Sequence, residues 1–63
     1  MGIKRIENAN EIEVGDEMRA GAIKSKVVAI DNGTIVNERG ERCPIGALNG
    51  FMLKGSIIVN RWS

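Results

Sequence analysis

The densest group of residues that could do chemistry is a set of four carboxylates early in the chain, Glu11, Glu13, Asp16 and Glu17. Paired carboxylates can act as general acid and base, or bind a hard cation through their oxygens. Their spacing lacks the Asp-x-Asp-x-Asp-Gly pattern of a calcium loop. The favoured interpretation is a solvated acidic edge, and a metal-dependent or acid–base activity is the least favoured functional alternative.

The 63-residue chain has no histidine, no tyrosine and a single cysteine, Cys43. Without histidine it cannot build a Ser-His-Asp or Cys-His nucleophile, nor a zinc site made of histidines and cysteines. Cys43 precedes Pro44 in an apolar pattern, which favours a small buried hydrophobe over a reactive thiol. The glycines at 40, 46, 50 and 55 match neither G-x-G-x-x-G nor a Walker phosphate loop. We therefore expect no enzyme activity, no metal and no cofactor.

The net charge of +1 conceals two oppositely charged parts of the chain. The first 23 residues carry three basic and five acidic side chains, whereas residues 24–63 carry six basic and three acidic ones. A basic half predicts, as one alternative, a small nucleic-acid-binding barrel. The sequence pI of about 7.9 and the lack of aromatic platforms for stacking bases argue against it. The candidate contacts are Lys24, Lys26, Arg39, Arg42 and Lys54.

Composition indicates that β-strands position these residues. Isoleucine and valine together number 14 against two leucines, and eight glycines and six asparagines supply turns. We predict a single all-β domain over 1–63, either a small antiparallel barrel or a strongly bent sheet. An N-terminal arm over 1–13 precedes a core over 14–63.

The clearest local signal is Asn32-Gly33 between two β-branched runs, which is typical of a two-residue hairpin whose turn residues both take positive φ. This turn places Ile30 opposite Ile35. A second turn with Gly40 in the left-handed position then places Ile35 opposite Cys43. The two turns predict a three-stranded meander over about 26–45.

A strand at 17–20 precedes this meander, and a short helical turn near 46–50, a strand at 51–54 and a C-terminal strand over 56–62 follow it. This order resembles the small five-stranded Src-homology-like β-barrel. The resemblance is carried by Val14-Gly15-Asp16 before the first strand, the meander from Lys26 to Ile45, and the turn from Gly46 to Gly50 before Phe51. The aromatic groove with which signalling members bind proline-rich peptides is absent.

The predicted register places apolar side chains on both faces of the meander. One face holds Val28, Ile30, Ile35 and Cys43, and the other holds Val27, Ala29 and Val36. A solvated face would alternate to polar residues, so something covers the second face: the arm, the last strand or another molecule. Either the chain binds a partner there, or its own termini close the barrel with Trp62 as a lid. The candidate protein interface comprises Val27, Ala29, Val36, Ile57, Ile58, Val59 and Trp62.

The sequence also predicts where the protein acts and with what. It has neither an apolar run of about 18 residues nor a basic segment leading into a hydrophobic stretch, so we expect no membrane span and no signal peptide. A single cysteine fits the reducing cytoplasm. A domain this small buries only about 60% of its unfolded surface and is marginal alone. We therefore expect a cytoplasmic accessory or inhibitory protein of a bacterium or phage, which binds a protein partner or its own copy in preference to nucleic acid.

Overall fold

About half of the chain is in β-strands, as its β-branched composition predicts, in a computed structural model that describes residues 2–62. The strands are β1 (Ile3–Ile6), β2 (Glu17–Ala20), β3 (Ile23–Asp31), β4 (Thr34–Asn37), β5 (Arg42–Pro44) and β6 (Ile58–Trp62). A 3₁₀ turn (Ala9–Glu11) follows β1, and one α-helix, α1 (Ile45–Leu53), follows β5. The strands form one antiparallel sheet in the order β1-β6-β2-β3-β4-β5, which is not closed into a barrel. The all-β prediction is confirmed.

The Asn32-Gly33 hairpin has the predicted geometry. Asn32 and Gly33 have φ values of 49° and 73°, so both occupy the left-handed region that this turn requires. Ile30 is paired with Ile35 as predicted. The turn residues therefore set the register of β3 and β4 next to the hairpin turn.

The second turn is organised by Asn37, which is buried although polar. Its side-chain Oδ1 accepts hydrogen bonds from the backbone N–H groups of Arg39 and Glu41, each at 3.0 Å. Its Nδ2 donates to Glu41 Oε1 at 2.9 Å and to Ser25 Oγ at 3.3 Å. Ile35 is opposite Cys43, so the predicted register of β4 and β5 is confirmed.

An irregularity in β3 changes one predicted face. The pairing with β4 shifts between Val27 and Ala29, so that an extra residue, Val28, lies in β3. A bulge of this kind bends its strand and re-aims the neighbouring side chains. Val27 therefore lies in the core beside Ile35, whereas Val28 is exposed. The prediction that Val27 shares the outward face with Ala29 is wrong for this reason.

The segment after Pro44 is more helical than predicted. The predicted single turn near 46–50 and the strand at 51–54 are replaced by the nine-residue helix α1. Leu48 and Met52, one helical turn apart, are both buried in the core. Their packing outweighs the poor helix propensity of two glycines, and the strand prediction at 51–54 is wrong.

The core lies between α1 and one face of the sheet. The predicted N-terminal arm contributes Ile6, Ala9 and Ile12 to it. The remaining buried apolar side chains are Val27, Ile35, Leu48, Met52 and Val59. Trp62 is 63% exposed, so the alternative in which it covers the core is wrong.

Of the helices in residues 2–62, none combines the length and the apolar character needed to cross a bilayer.

Candidate functional site

The acidic cluster is held by an arginine from the other end of the chain. Asp16 is only 2% exposed, and Arg61 donates to both of its carboxylate oxygens, from Nε at 2.8 Å and from Nη2 at 3.0 Å. Arg61 Nη2 also donates to the carbonyl oxygen of Glu11 at 2.8 Å, and the N–H of Glu13 donates to Asp16 Oδ2 at 2.9 Å. This network joins the turn before β2 to the end of β6.

Burial alone would raise the pKa of Asp16, but the hydrogen bonds from Arg61 and from the N–H of Glu13, together with the guanidinium charge, lower it below its ordinary value of 3.8. The hydrogen bond to Asp16 in turn raises the pKa of Arg61. Asp16 is therefore ionised, fully hydrogen-bonded and unsuited to proton transfer near neutral pH. Among residues 2–62, no three acidic or cysteine side chains are grouped so that they could hold a metal ion.

The structure divides the predicted protein interface among three places. Val27 and Val59 lie in the core, and Ile57 packs against it. The others lie on what we call the outer face of the sheet, the face turned away from the core. Ala29 and Val36 are opposite each other there and half-buried, and an ion pair of 3.5 Å between Arg42 and Asp31 spans β4 beside them. Ile58 and Trp62 lie at the other end of the outer face.

Sequence reasoning missed an uncharged surface that lies on α1. The helix contains no charged residue, and its inward side consists of Ile45, Leu48, Asn49 and Met52. This i, i+3, i+4, i+7 spacing is the helical signal that could have predicted α1. The other side is apolar as well and faces solvent, with Phe51 44% exposed and Leu53 77% exposed. A helix that is apolar all round is normally buried on all sides.

Two glycines flatten this side of α1. A Cβ added to Gly46 or Gly50 would meet no other atom within 4 Å, and neither glycine has a positive φ. Neither conformation nor internal packing therefore requires glycine here, although each costs a helix about 0.5–1 kcal/mol relative to alanine. We call the surface formed by Gly46, Ala47, Gly50, Phe51 and Leu53 the α1 outer face.

The core also leaves a cavity of about 270 Å³ between the β2–β3 hairpin, β4, β5 and α1. Its walls include Met18, Ile35, Leu48 and Ile57, and Cys43 lines it as a half-buried thiol. Ser25, Asn37, Arg39 and Glu41 supply polar groups. The cavity is partly open to solvent, so side chains do not fill all of the space between the sheet and α1.

The predicted nucleic-acid contacts do not form one patch. Lys24 and Lys26 lie on the outer face of the sheet, whereas Arg39 lies in the second turn beside the cavity. Arg42 is paired with Asp31, and Lys54 follows the end of α1. The sheet instead places Lys24 opposite Arg19 and puts Lys24, Lys26 and Arg5 on the same face. Arg5 and Arg19 belong to the acidic first 23 residues, and sequence reasoning did not select them.

Comparison of the chain with protein-family models, curated proteins and solved structures gave no match at the threshold applied.

Proposed function

We propose that the protein is a non-enzymatic binding module that associates with a second copy of itself through the α1 outer face. The observation that carries the proposal is the exposure of Phe51 and Leu53 on a helix without a single charged residue. Contiguous exposed apolar surface is characteristic of interaction sites. The unneeded glycines support the proposal, because small residues allow a facing helix to approach closely.

A second copy is the favoured occupant because of charge. A two-fold dimer brings the same patch of both chains together, so any net charge on the patch would repel itself. The α1 outer face has no charge and meets this condition. The edge strand β1 exposes Lys4 and Arg5, and basic residues at an edge oppose pairing with an identical strand. Self-association through β1 is therefore disfavoured.

The size of the contact predicts its strength. A nine-residue helix is only about 14 Å long, so the paired helices bury less than the roughly 1,600 Å² of a standard interface. We expect a dissociation constant on the order of 10–100 μM, which corresponds to roughly −6 kcal/mol of binding free energy. The dimer should form and dissociate with concentration.

Sedimentation equilibrium of the 63-residue chain up to about 1 mM tests the proposal, because this range brackets the expected dissociation constant. We expect the wild-type mass to rise from monomer to dimer. Leu53→Glu should weaken the dimer at least about tenfold, because each chain would then bring a charge into the contact.

Val14→Glu is the matched control, since Val14 is also exposed, at 60%, but lies in a turn away from α1. It should leave the mass unchanged. A monomer at every concentration, or equal weakening by both substitutions, would contradict the proposal and leave the α1 outer face to a different protein.

A further inference from the structure

The outer face of the sheet carries a set of cations that the strand register brings together. One row across the face contains Arg5, Asn60, Glu17 and Lys26, from β1, β6, β2 and β3 in turn. The next row contains Ile58, Arg19 and Lys24. Glu38 lies beside Lys26, where its Oε1 accepts a hydrogen bond from the Lys26 backbone N–H at 3.2 Å. Four cations against the two carboxylates of Glu17 and Glu38 leave two net positive charges on an area about 14 Å wide.

This charge is not visible in the linear sequence, where Arg5 and Arg19 belong to the first 23 residues, whose net charge is negative. The fold directs two of the acidic side chains to Arg61 instead: Asp16 turns inward to it, and Glu13 lies 3.8 Å from the same guanidinium. Arg5 and Arg19 are left on the outer face. A net charge of +1 therefore understates the field on this side of the molecule.

Among residues 2–62, none of Arg5, Arg19, Lys24 and Lys26 forms an ion pair with a carboxylate. Arg19 lies directly opposite Lys24, although like charges in that position repel each other. Arg19 is further fixed by a 3.0 Å hydrogen bond from its Nε to the carbonyl oxygen of Gly21. The repulsion between Arg19 and Lys24 destabilises the free protein, and an anion bound between the two cations would relieve it.

An exposed aromatic ring completes the surface. Trp62 is opposite Ile3 at the end of the same face and is 63% exposed. Because Arg5 is opposite Asn60, two residues before Trp62, Arg5 and Trp62 are diagonal neighbours, within reach of long side chains. An indole beside a guanidinium is suited to stacking on an unpaired base whose phosphate contacts the cation.

We infer that the outer face of the sheet binds single-stranded nucleic acid, with Trp62 stacking on a base and Arg5, Arg19, Lys24 and Lys26 contacting phosphates. A single strand fits better than a duplex, because the bases of a duplex are already stacked and cannot reach Trp62. The cations are spread over two rows that run across the sheet away from the ring, which suits a chain of anions more than a lipid surface. This site is separate from the α1 outer face and does not depend on the dimer.

Fluorescence provides a direct test, because Trp62 is the chain's only tryptophan and there is no tyrosine. An oligothymidylate of about 12 nucleotides should quench Trp62 emission, whereas a duplex of the same length should not. Contact with about three phosphates predicts a slope near −2 for log affinity against log salt. Binding should therefore weaken about 15-fold between about 50 and 200 mM salt.

Two double variants with equal charge loss locate the site. Arg19→Ala with Lys24→Ala should lower affinity at least about tenfold and should not unfold the chain, since it removes a repulsion. Arg39→Ala with Lys54→Ala removes the same charge away from the outer face and should lower affinity less than about threefold. Circular dichroism checks that both variants are folded.

Several outcomes would overturn the inference. One is an equal loss of affinity for the oligonucleotide in the two double variants. Another is binding of heparin as tightly as the oligonucleotide, with no quenching of Trp62. A third is tighter binding of anionic vesicles or an acidic peptide than of the oligonucleotide. None of them bears on the dimer, because Leu53→Glu leaves the outer face intact. Failure of one proposal is thus distinguishable from failure of the other.

Discussion

The carboxylate of Asp16 lies where the turn before β2 meets the end of β6, and both of its oxygens accept hydrogen bonds from Arg61. Its task is to join two segments that are 45 residues apart in the chain. Glu13 contacts the same guanidinium at 3.8 Å, but its side chain is 72% exposed. A buried, doubly hydrogen-bonded carboxylate contributes more to stability than an exposed one on the same partner.

Asp16→Asn should lower the free energy of unfolding at neutral pH by about 2 kcal/mol, because hydrogen bonds to a charged group are lost. The pKa of Asp16 is lower in the folded chain than its ordinary 3.8. Its contribution is therefore complete above that value and is lost as the pH falls from 3.8 through the lower folded pKa. Urea denaturation across this acid range should show a smaller loss of stability in the variant than in the wild type.

Glu13→Gln is the control for this prediction, since it makes the same chemical change on the exposed partner of Arg61. We expect it to alter the free energy of unfolding by less than about 0.5 kcal/mol. Similar losses for the two substitutions would show that the network owes its stability to general charge balance rather than to Asp16.

At the scale of elements, glycines with different backbone conformations serve different ends. Gly33 has a φ of 73° in the first hairpin, where a side chain is strained whatever the space around it. Gly50 lies in α1 with ordinary helical conformation and open space at its missing Cβ. The first glycine is needed by its own turn, and the second is not needed by the monomer at all.

Alanine substitutions should therefore act in opposite directions. Gly33→Ala should destabilise the chain by about 1 kcal/mol, because alanine takes positive φ poorly. Gly50→Ala should stabilise the monomer by about 0.5–1 kcal/mol through helix propensity. Thermal unfolding at low protein concentration measures both effects. A loss of stability in Gly50→Ala would show that the helix needs this glycine for its own packing.

At the scale of the whole molecule, the sheet has two faces with different tasks. The inner face and α1 enclose the core, whereas the outer face is solvated and basic between its apolar ends. The α1 outer face and the outer face of the sheet lie on opposite sides of the core. A dimer through α1 would therefore keep both basic faces accessible, and both proposed contacts can form together.

Filling the cavity of about 270 Å³ should increase the stability of the whole molecule. Ala20 lines it from β2. Ala20→Ile should raise the free energy of unfolding by about 0.5–1 kcal/mol, because the added methylene groups fill space beside Met18 and Ile23. Chemical denaturation measures this gain. Ala29→Ile, on the outer face of the sheet, controls for the strand preference of isoleucine, and an equal gain there would remove cavity filling as the cause.

Interactions between residues close in sequence account for the turns and strands that were predicted correctly. Asn32-Gly33 specifies its hairpin because both residues tolerate positive φ, and Gly40 specifies the next turn in the same way. The strand at 17–20 follows from the turn residues on either side of it, Gly15 and Gly21, and the C-terminal strand follows from its β-branched run. The absence of histidine and of phosphate-binding glycine motifs likewise needs no structure to read.

Contacts between residues distant in sequence determined the features that were predicted wrongly or not at all. The extra residue at Val28 turned Val27 inward, and burial of Leu48 and Met52 made a helix where local preference indicated a turn and a strand. Only strand order could put Arg5 on the same face of the sheet as Arg19 and Lys24, because β6 joins β1 to β2. Each outcome depends on a free energy of packing or pairing that exists only once the sheet has formed, so no local window of sequence contains it.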